Sequence, residues 1–173
     1  MSLIQVDEIR KRDNSVFPLG KIGQIINSST DYNQVTQTTS LTDILSAGGT
    51  VWETSITPSV TSSKIFLNGC LCFNSYNTSG TNSEGRSSLF VYYKIGSGSY
   101  TQLKDFNEML GVYDYGGHGI WSPQVVTLSN LITTNTTSAV TVKFQVKCNN
   151  GSVQNVFNTG TNDSQVSLME VLA

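Results

Sequence analysis

One histidine, three cysteines and a scatter of acids carry most of the side-chain chemistry that the 173 residues could turn to catalysis or metal binding. His118 lies in Tyr113-Asp-Tyr-Gly-Gly-His-Gly-Ile-Trp121, with a glycine on either side. Ser122 is close in sequence, but no Gly-x-Ser-x-Gly elbow surrounds it to hold a serine nucleophile. Asp105, Glu108 and Asp114 are spaced so that two of them could face each other across a sugar, as glycoside hydrolysis requires. A glycan-active enzyme is therefore the one catalytic reading, and solvated loop acids are the plainer one. Cys70 and Cys72 form Cys-x-Cys rather than the Cys-x-x-Cys of a structural zinc site, and Cys148 stands far away in sequence. Three cysteines without a visible secretory leader read as free, buried thiols. The glycines precede no lysine and no helix start, so they do not make a phosphate loop. The expectation is a chain with no catalytic residue, no metal and no cofactor.

Binding chemistry is better represented. Tyr113, Tyr115, His118 and Trp121 share one glycine-rich loop, and tyrosine and tryptophan give contact area at low entropic cost. They are the candidate surface-binding residues, for a host glycan or protein; the competing reading packs Tyr113 and Trp121 beneath the loop. Nucleic acid is not expected as a partner. The net charge is −2, and Arg10, Lys11 and Arg12 are surrounded by Asp7, Glu8 and Asp13. No apolar run approaches the roughly 20 residues of a membrane span, so no membrane insertion is expected. The start has neither the cationic region nor the apolar stretch of a signal peptide, which predicts assembly in a cytoplasm.

These residues must be positioned by strands. Only 13% of the chain is charged, against about 25% in an ordinary domain. Ser, Thr, Asn and Gly make up the difference, and all four weaken helices. Apolar segments recur at strand length: 22–26, 51–57, 64–73, 88–95, 124–128, 139–147, 152–157 and 166–172. Val140, Val142, Phe144 and Val146 alternate with Thr141, Lys143, Gln145 and Lys147, the period-two pattern of a half-buried strand. Ile65, Leu67, Leu71 and Phe73 are the other expected core residues. Residues 40–47, ending at Gly48-Gly49, are the one helix candidate. Residues 74–87 read as a long loop, 104–123 as an irregular region, and Asn149-Asn-Gly151 as a hairpin turn. The fold class is all-β: an antiparallel, jelly-roll-like β-sandwich with a short extended N-terminal segment. Residues 1–21 are expected to form an attachment segment, with Ile4, Val6, Val16 and Phe17 as docking residues, and residues 22–173 the head domain.

Four stretches carry a resemblance. They are Ile4-Gln-Val-Asp-Glu-Ile9 with Phe17-Pro-Leu-Gly-Lys-Ile-Gly-Gln24; Ser55-Ile-Thr-Pro-Ser-Val-Thr-Ser-Ser-Lys-Ile65; Thr137-Ser-Ala-Val-Thr-Val-Lys-Phe144; and Val166-Ser-Leu-Met-Glu-Val171. In this order they resemble small tail-fibre-like virion structural proteins of marine bacteriophages, especially those of cyanobacteria. Residues 74–123 follow no such pattern. The resemblance implies a virion component with a compact β-sandwich head, often trimeric, and no catalytic residue. The expected partners are other virion structural proteins, further copies in a homotrimer, and a host surface glycan or protein. Trp52, Phe106, Met109 and Trp121 are the expected contact patches of the trimer. A capsid decoration or adaptor protein that cements other subunits is the alternative to a fibre or spike head.

Overall fold

A computed structural model describes residues 21–32, 34–46, 48–77, 83–114, 121–149, 153–157 and 163–172. Within them lie eleven strands: β1 (Lys21–Thr30), β2 (Gln34–Thr36), β3 (Thr42–Asp43), β4 (Glu53–Ile56), β5 (Lys64–Asn77), β6 (Ser83–Ile95), β7 (Thr101–Asp114), β8 (Trp121–Thr133), β9 (Val140–Cys148), β10 (Val153–Phe157) and β11 (Ser164–Leu172). They form two antiparallel sheets packed face to face, the jelly-roll-like sandwich expected from the sequence.

The first sheet is built around β5. Strand β8 runs along one side of it, from Lys64↔Thr133 to Tyr76↔Trp121. The other side is shared between β11, opposite Lys64–Cys70, and β10, opposite Phe73–Asn77. β1 then borders β11, and β2 borders β10, giving six strands. In the second sheet β3 and β4 share one side of β9, followed by β6 and β7. The chain changes sheet between β5 and β6, between β7 and β8, and between β8 and β9, so successive long strands close over one core.

That core follows from strand parity. Val140, Val142, Phe144 and Val146 of β9 are fully buried, as are Ile65, Leu67 and Leu71 of β5. Burying each such side chain contributes about 1.5–3 kcal/mol relative to leaving it in water. Phe73, expected among them, is described by its backbone alone. Trp52 is 2% exposed, and its ring lies 4.9 Å from that of Phe144. Its indole N–H donates to Ser28 Oγ at 2.8 Å, which satisfies the one polar group the ring carries inward.

Several expectations from the sequence need correction. Residues 40–46, the described part of the helix candidate, do not make a helix. Thr42 and Asp43 pair with Val146 and Gln145, Ile44 N–H donates to Phe144 C=O, and the Gln34 side chain accepts from Leu45 N–H. Gly48 and Gly49, with φ of 90° and 78°, then turn the chain back so that Ser46 N–H meets Thr50 C=O. Those glycines terminate a turn between extended segments, and cross-strand pairing overrides the local capping pattern. The long loop and the irregular region are largely strand: β5 extends to Asn77, β6 begins at Ser83, and β7 extends to Asp114. Their polar residues occupy extended backbone that pairs through peptide groups, which needs no apolar alternation. Strand β10 is not the hairpin return of β9; it pairs with β5 and β2 in the other sheet. Trp52 belongs to the core and is 2% exposed, so it does not supply the subunit patch expected of it, while Phe106 packs against that core half-buried.

Candidate interaction surface

The two outer faces of the sandwich differ in chemistry. On the second sheet the outward parity brings together Asp43, Glu53, Lys94, Lys143, Lys147, Phe90 and Tyr92. The charges there have partners within the face. Lys143 Nζ lies 2.9 Å from Asp43, and Gln145 donates to the same oxygen at 2.8 Å. Tyr100 O–H donates to Glu53 at 2.6 Å, while the ammonium groups of Lys94 and Lys143 each sit 4.6 Å from its ring centre. Burial, then the hydrogen bond and charge of Glu53, hold the Tyr100 phenol well above its ordinary pKa. This is a self-satisfied, hydrated mosaic.

The first sheet presents the opposite. Its outward residues fall in rows because the four strands β1, β11, β5 and β8 are in register. One row is Ile25–Met169–Phe66–Leu131. Beside it run Ile22–Val171–Lys64–Thr133 on one flank and Asn27–Ser167–Asn68–Ser129 on the other. Ile22, Ile25 and Leu131 are 58%, 49% and 52% exposed, with Met169 and Phe66 half-buried between them. Lys64 is the only charge in these rows. Farther along, Cys70 faces Gln165 and Thr127, and Cys72 faces Val125, itself exposed. Both cysteines are free and half-buried, while Cys148 is fully buried in the second sheet. Burial first, then neighbouring Cys70, pushes the Cys72 thiol up.

Behind this face sits one buried carboxylate. Glu170 of β11 is 1% exposed, on the inward parity with Val166 and Leu168. Its Oε1 accepts from Ser59 N–H at 2.6 Å, Ser59 Oγ at 2.8 Å and Ser63 Oγ at 2.7 Å. Its Oε2 accepts from Gln24 Nε2 at 3.1 Å, and Gln24 also donates to Thr57 C=O. Burial alone would raise its pKa; the hydrogen bonds from Ser63, Ser59 and Gln24 outweigh that and bring it down to about 2. β1 makes room through a bulge between Ile22 and Ile25, where a Cβ on Gly23 would lie 2.6 Å from Glu170 Oε2. With its oxygens occupied and no access to solvent, Glu170 staples β1 and the β4–β5 loop to β11 and is not placed to act as a base. Three of the four stretches that carry the family resemblance, around residues 24, 55–65 and 166–171, meet at this carboxylate.

Of the residues singled out from sequence, Tyr113 lies one residue before the end of β7, opposite Glu84, and Trp121 opens β8 opposite Tyr76. β7 and β8 belong to different sheets, and the backbone alone is described at Tyr113 and Trp121. Tyr115 and His118 lie outside the described residues, as do Ile4, Val6, Val16 and Phe17. Among the acids, Asp105 is exposed and accepts from Gln102 within its own strand, and Glu108 pairs with Arg86 at 3.1 Å. The apolar row and Glu170 were missed. The signal for Glu170 was present: it stands on the same strand parity as Val166, Leu168 and Leu172, where a charge needs partners.

Among the described residues no helix is long and apolar enough to cross a membrane, and no three metal-binding side chains cluster. No protein-family model matches the chain, and no curated protein matches it in sequence. Among solved structures the chain is similar to that of the infectious bursal disease virus Gx strain, with 11% identity over 100% of this chain and 43% of that one, at a TM-score of 0.37. It is also similar to the Gt strain structure, with 11% identity over 98% of this chain and 43% of that one, at a TM-score of 0.33. A Yersinia pseudotuberculosis-derived mitogen is similar over 70% of this chain and 85% of that one, with 9% identity and a TM-score of 0.20. The chain spans less than half the length of the viral chains it matches.

Proposed function

We propose that this chain is a non-enzymatic structural component of a virus particle: the head of a homotrimeric bacteriophage fibre or spike that meets other virion proteins and contacts the host surface. The observation that carries this reading is the nearly uncharged outer face of the first sheet, with Ile25, Met169, Phe66 and Leu131 in line across four strands. A contiguous exposed apolar patch marks an interaction site more often than a solvent surface. The meeting of three resemblance stretches at Glu170 supports the family reading, because the shared residues then serve one structural staple and need no shared catalysis. Residues 1–20 precede β1 and are assigned to docking on another virion protein. Residues 113–121, between β7 of one sheet and β8 of the other, are assigned to a host glycan or protein.

Antibody labelling of purified particles, viewed by electron microscopy, tests the reading. Labels at fibre or spike tips are expected; labels spread over the capsid shell would favour the decoration or adaptor protein, and unlabelled particles would overturn both. Alanine at Tyr113 and Trp121 is expected to weaken binding of the purified chain to host cells while the chain stays folded.

A further inference from the structure

We infer that the outer face of the first sheet is the contact between copies of this chain, with the row Ile25–Met169–Phe66–Leu131 at its centre. The inference deepens the trimer reading by naming the face through which subunits meet. Three observations favour a second copy as the occupant. First, the face offers a charged partner almost nothing. The rows Ile22 to Thr133, Ile25 to Leu131 and Asn27 to Ser129 contain a single charge, Lys64, and Glu170 is turned inward and buried. The face of the second sheet, with its Lys143–Asp43 pair and its Glu53–Tyr100 hydrogen bond, carries both signs of charge where this face carries almost none.

Second, the polar groups that flank the row suit an identical partner. Asn27, Ser167, Asn68 and Ser129 are amides and hydroxyls, each with both donors and acceptors, so the same surface can satisfy itself. Ser167 Oγ already donates to Asn27 Oδ1 at 2.7 Å, within one copy. A face of carboxylates or of lysines alone would repel its own copy; this one does not. Third, the row runs from edge to edge. Ile25 lies on β1 and Leu131 on β8, the two outermost of the described strands in this part of the sheet. β1 is exposed on both of its faces, since Ile26, on the opposite side from Ile25, is 37% exposed. A long apolar edge strand invites pairing unless something covers it, and a closed ring of copies covers every edge at once.

Analytical ultracentrifugation of the full chain at micromolar concentration tests this, with wild type beside Ile25→Lys, Leu131→Lys and a control on the second sheet, Thr101→Lys. All three positions are exposed, so the subunit fold should survive, and circular dichroism with thermal melting checks that it does. Phe66→Ser is a further variant that removes the centre of the row without adding charge. Wild type and Thr101→Lys are expected to sediment as one oligomer, and the three row variants as monomers. An oligomer that survives all three overturns the assignment of this face while leaving the virion reading standing. A monomeric wild type also overturns it, because the row must then be covered by something other than a copy. Failure to find the chain on particles would instead strike the virion reading and leave the sedimentation result as it is.

Discussion

Ser63 Oγ donates a 2.7 Å hydrogen bond to Glu170 Oε1 across 107 residues of chain. The hydroxyl belongs to the loop that leads into β5, and the carboxylate to the last strand. Ser59 adds two more donors to the same oxygen, so the loop can close over the sheet only when β11 is in place. Such a carboxylate is stabilising in proportion to how completely its charge is solvated by protein donors.

Glu170→Ala should therefore lower stability by about 2–4 kcal/mol, because it leaves the buried Ser63 hydroxyl and the partly buried donors of Ser59 and Gln24 without their acceptor. Glu170→Gln keeps the volume but sets an amide N–H₂ against donors, and should cost about 2–3 kcal/mol. Ser63→Ala removes one donor and should cost about 1–2 kcal/mol. Urea unfolding of the three variants measures the order. A Glu170→Ala midpoint equal to wild type would mean that the carboxylate does not hold the loop.

Acid should act through the same group. The folded pKa of Glu170 is lowered from 4.5 to about 2. A carboxylate with a depressed folded pKa contributes stability that is fully present above its unfolded pKa. That contribution is lost as pH falls from about 4.5 through about 2, and is on the order of 3 kcal/mol. The melting temperature of wild type should drop over that window, and Glu170→Gln should flatten much of the drop. An identical acid profile in the two proteins would place the acid sensitivity elsewhere.

The parts of this fold legible in sequence are those where one strand face is buried. β9 is readable because Val140 to Val146 alternate without a break, and β5 because residues 64–73 are the strongest apolar run in the chain. The ends of β5 to β8 were not, because Asn74 to Asn77 and Ser83 to Ser87 carry little apolar signal and their pairing is between peptide groups. Residues 40–47 misled because serine and paired glycines mark both helix ends and turns; only the partner strand β9 decides between them. The apolar row of the candidate surface is invisible along the chain, since its four residues come one from each of four strands. Register alone brings them together.

The cysteines separate the two sheets experimentally. Cys70 and Cys72 lie half-buried on the outward face, and Cys148 is fully buried with its thiol directed at Thr36 C=O, 3.6 Å away. A thiol-specific reagent should modify two sites in the native subunit at mildly alkaline pH and the third only in denaturant. Burial raises the Cys72 pKa above its ordinary 9.0, so its modification should need the more alkaline solution, the thiolate being the reacting form. Three fast-reacting thiols in the native chain would contradict the burial of Cys148. If the outer face is a subunit contact, both outward thiols should also react faster in Leu131→Lys than in wild type.

Removal of residues 1–20 separates attachment from folding. Pairing of β1 with β11 begins at Lys21↔Leu172, and Gln24, which anchors Glu170, lies inside β1. The described strands keep all their register partners when the chain begins at Lys21. The truncated chain should therefore show the same circular dichroism and melt within a few degrees of wild type. If Ile4, Val6, Val16 and Phe17 dock onto another virion protein, the truncated chain should also fail to enter particles, and a synthetic peptide of residues 1–20 should compete with the full chain for entry. Normal incorporation of the truncated chain would remove the docking role. A truncated chain that does not fold would show instead that the segment completes the core, and its apolar residues would then belong to the sandwich and not to a partner.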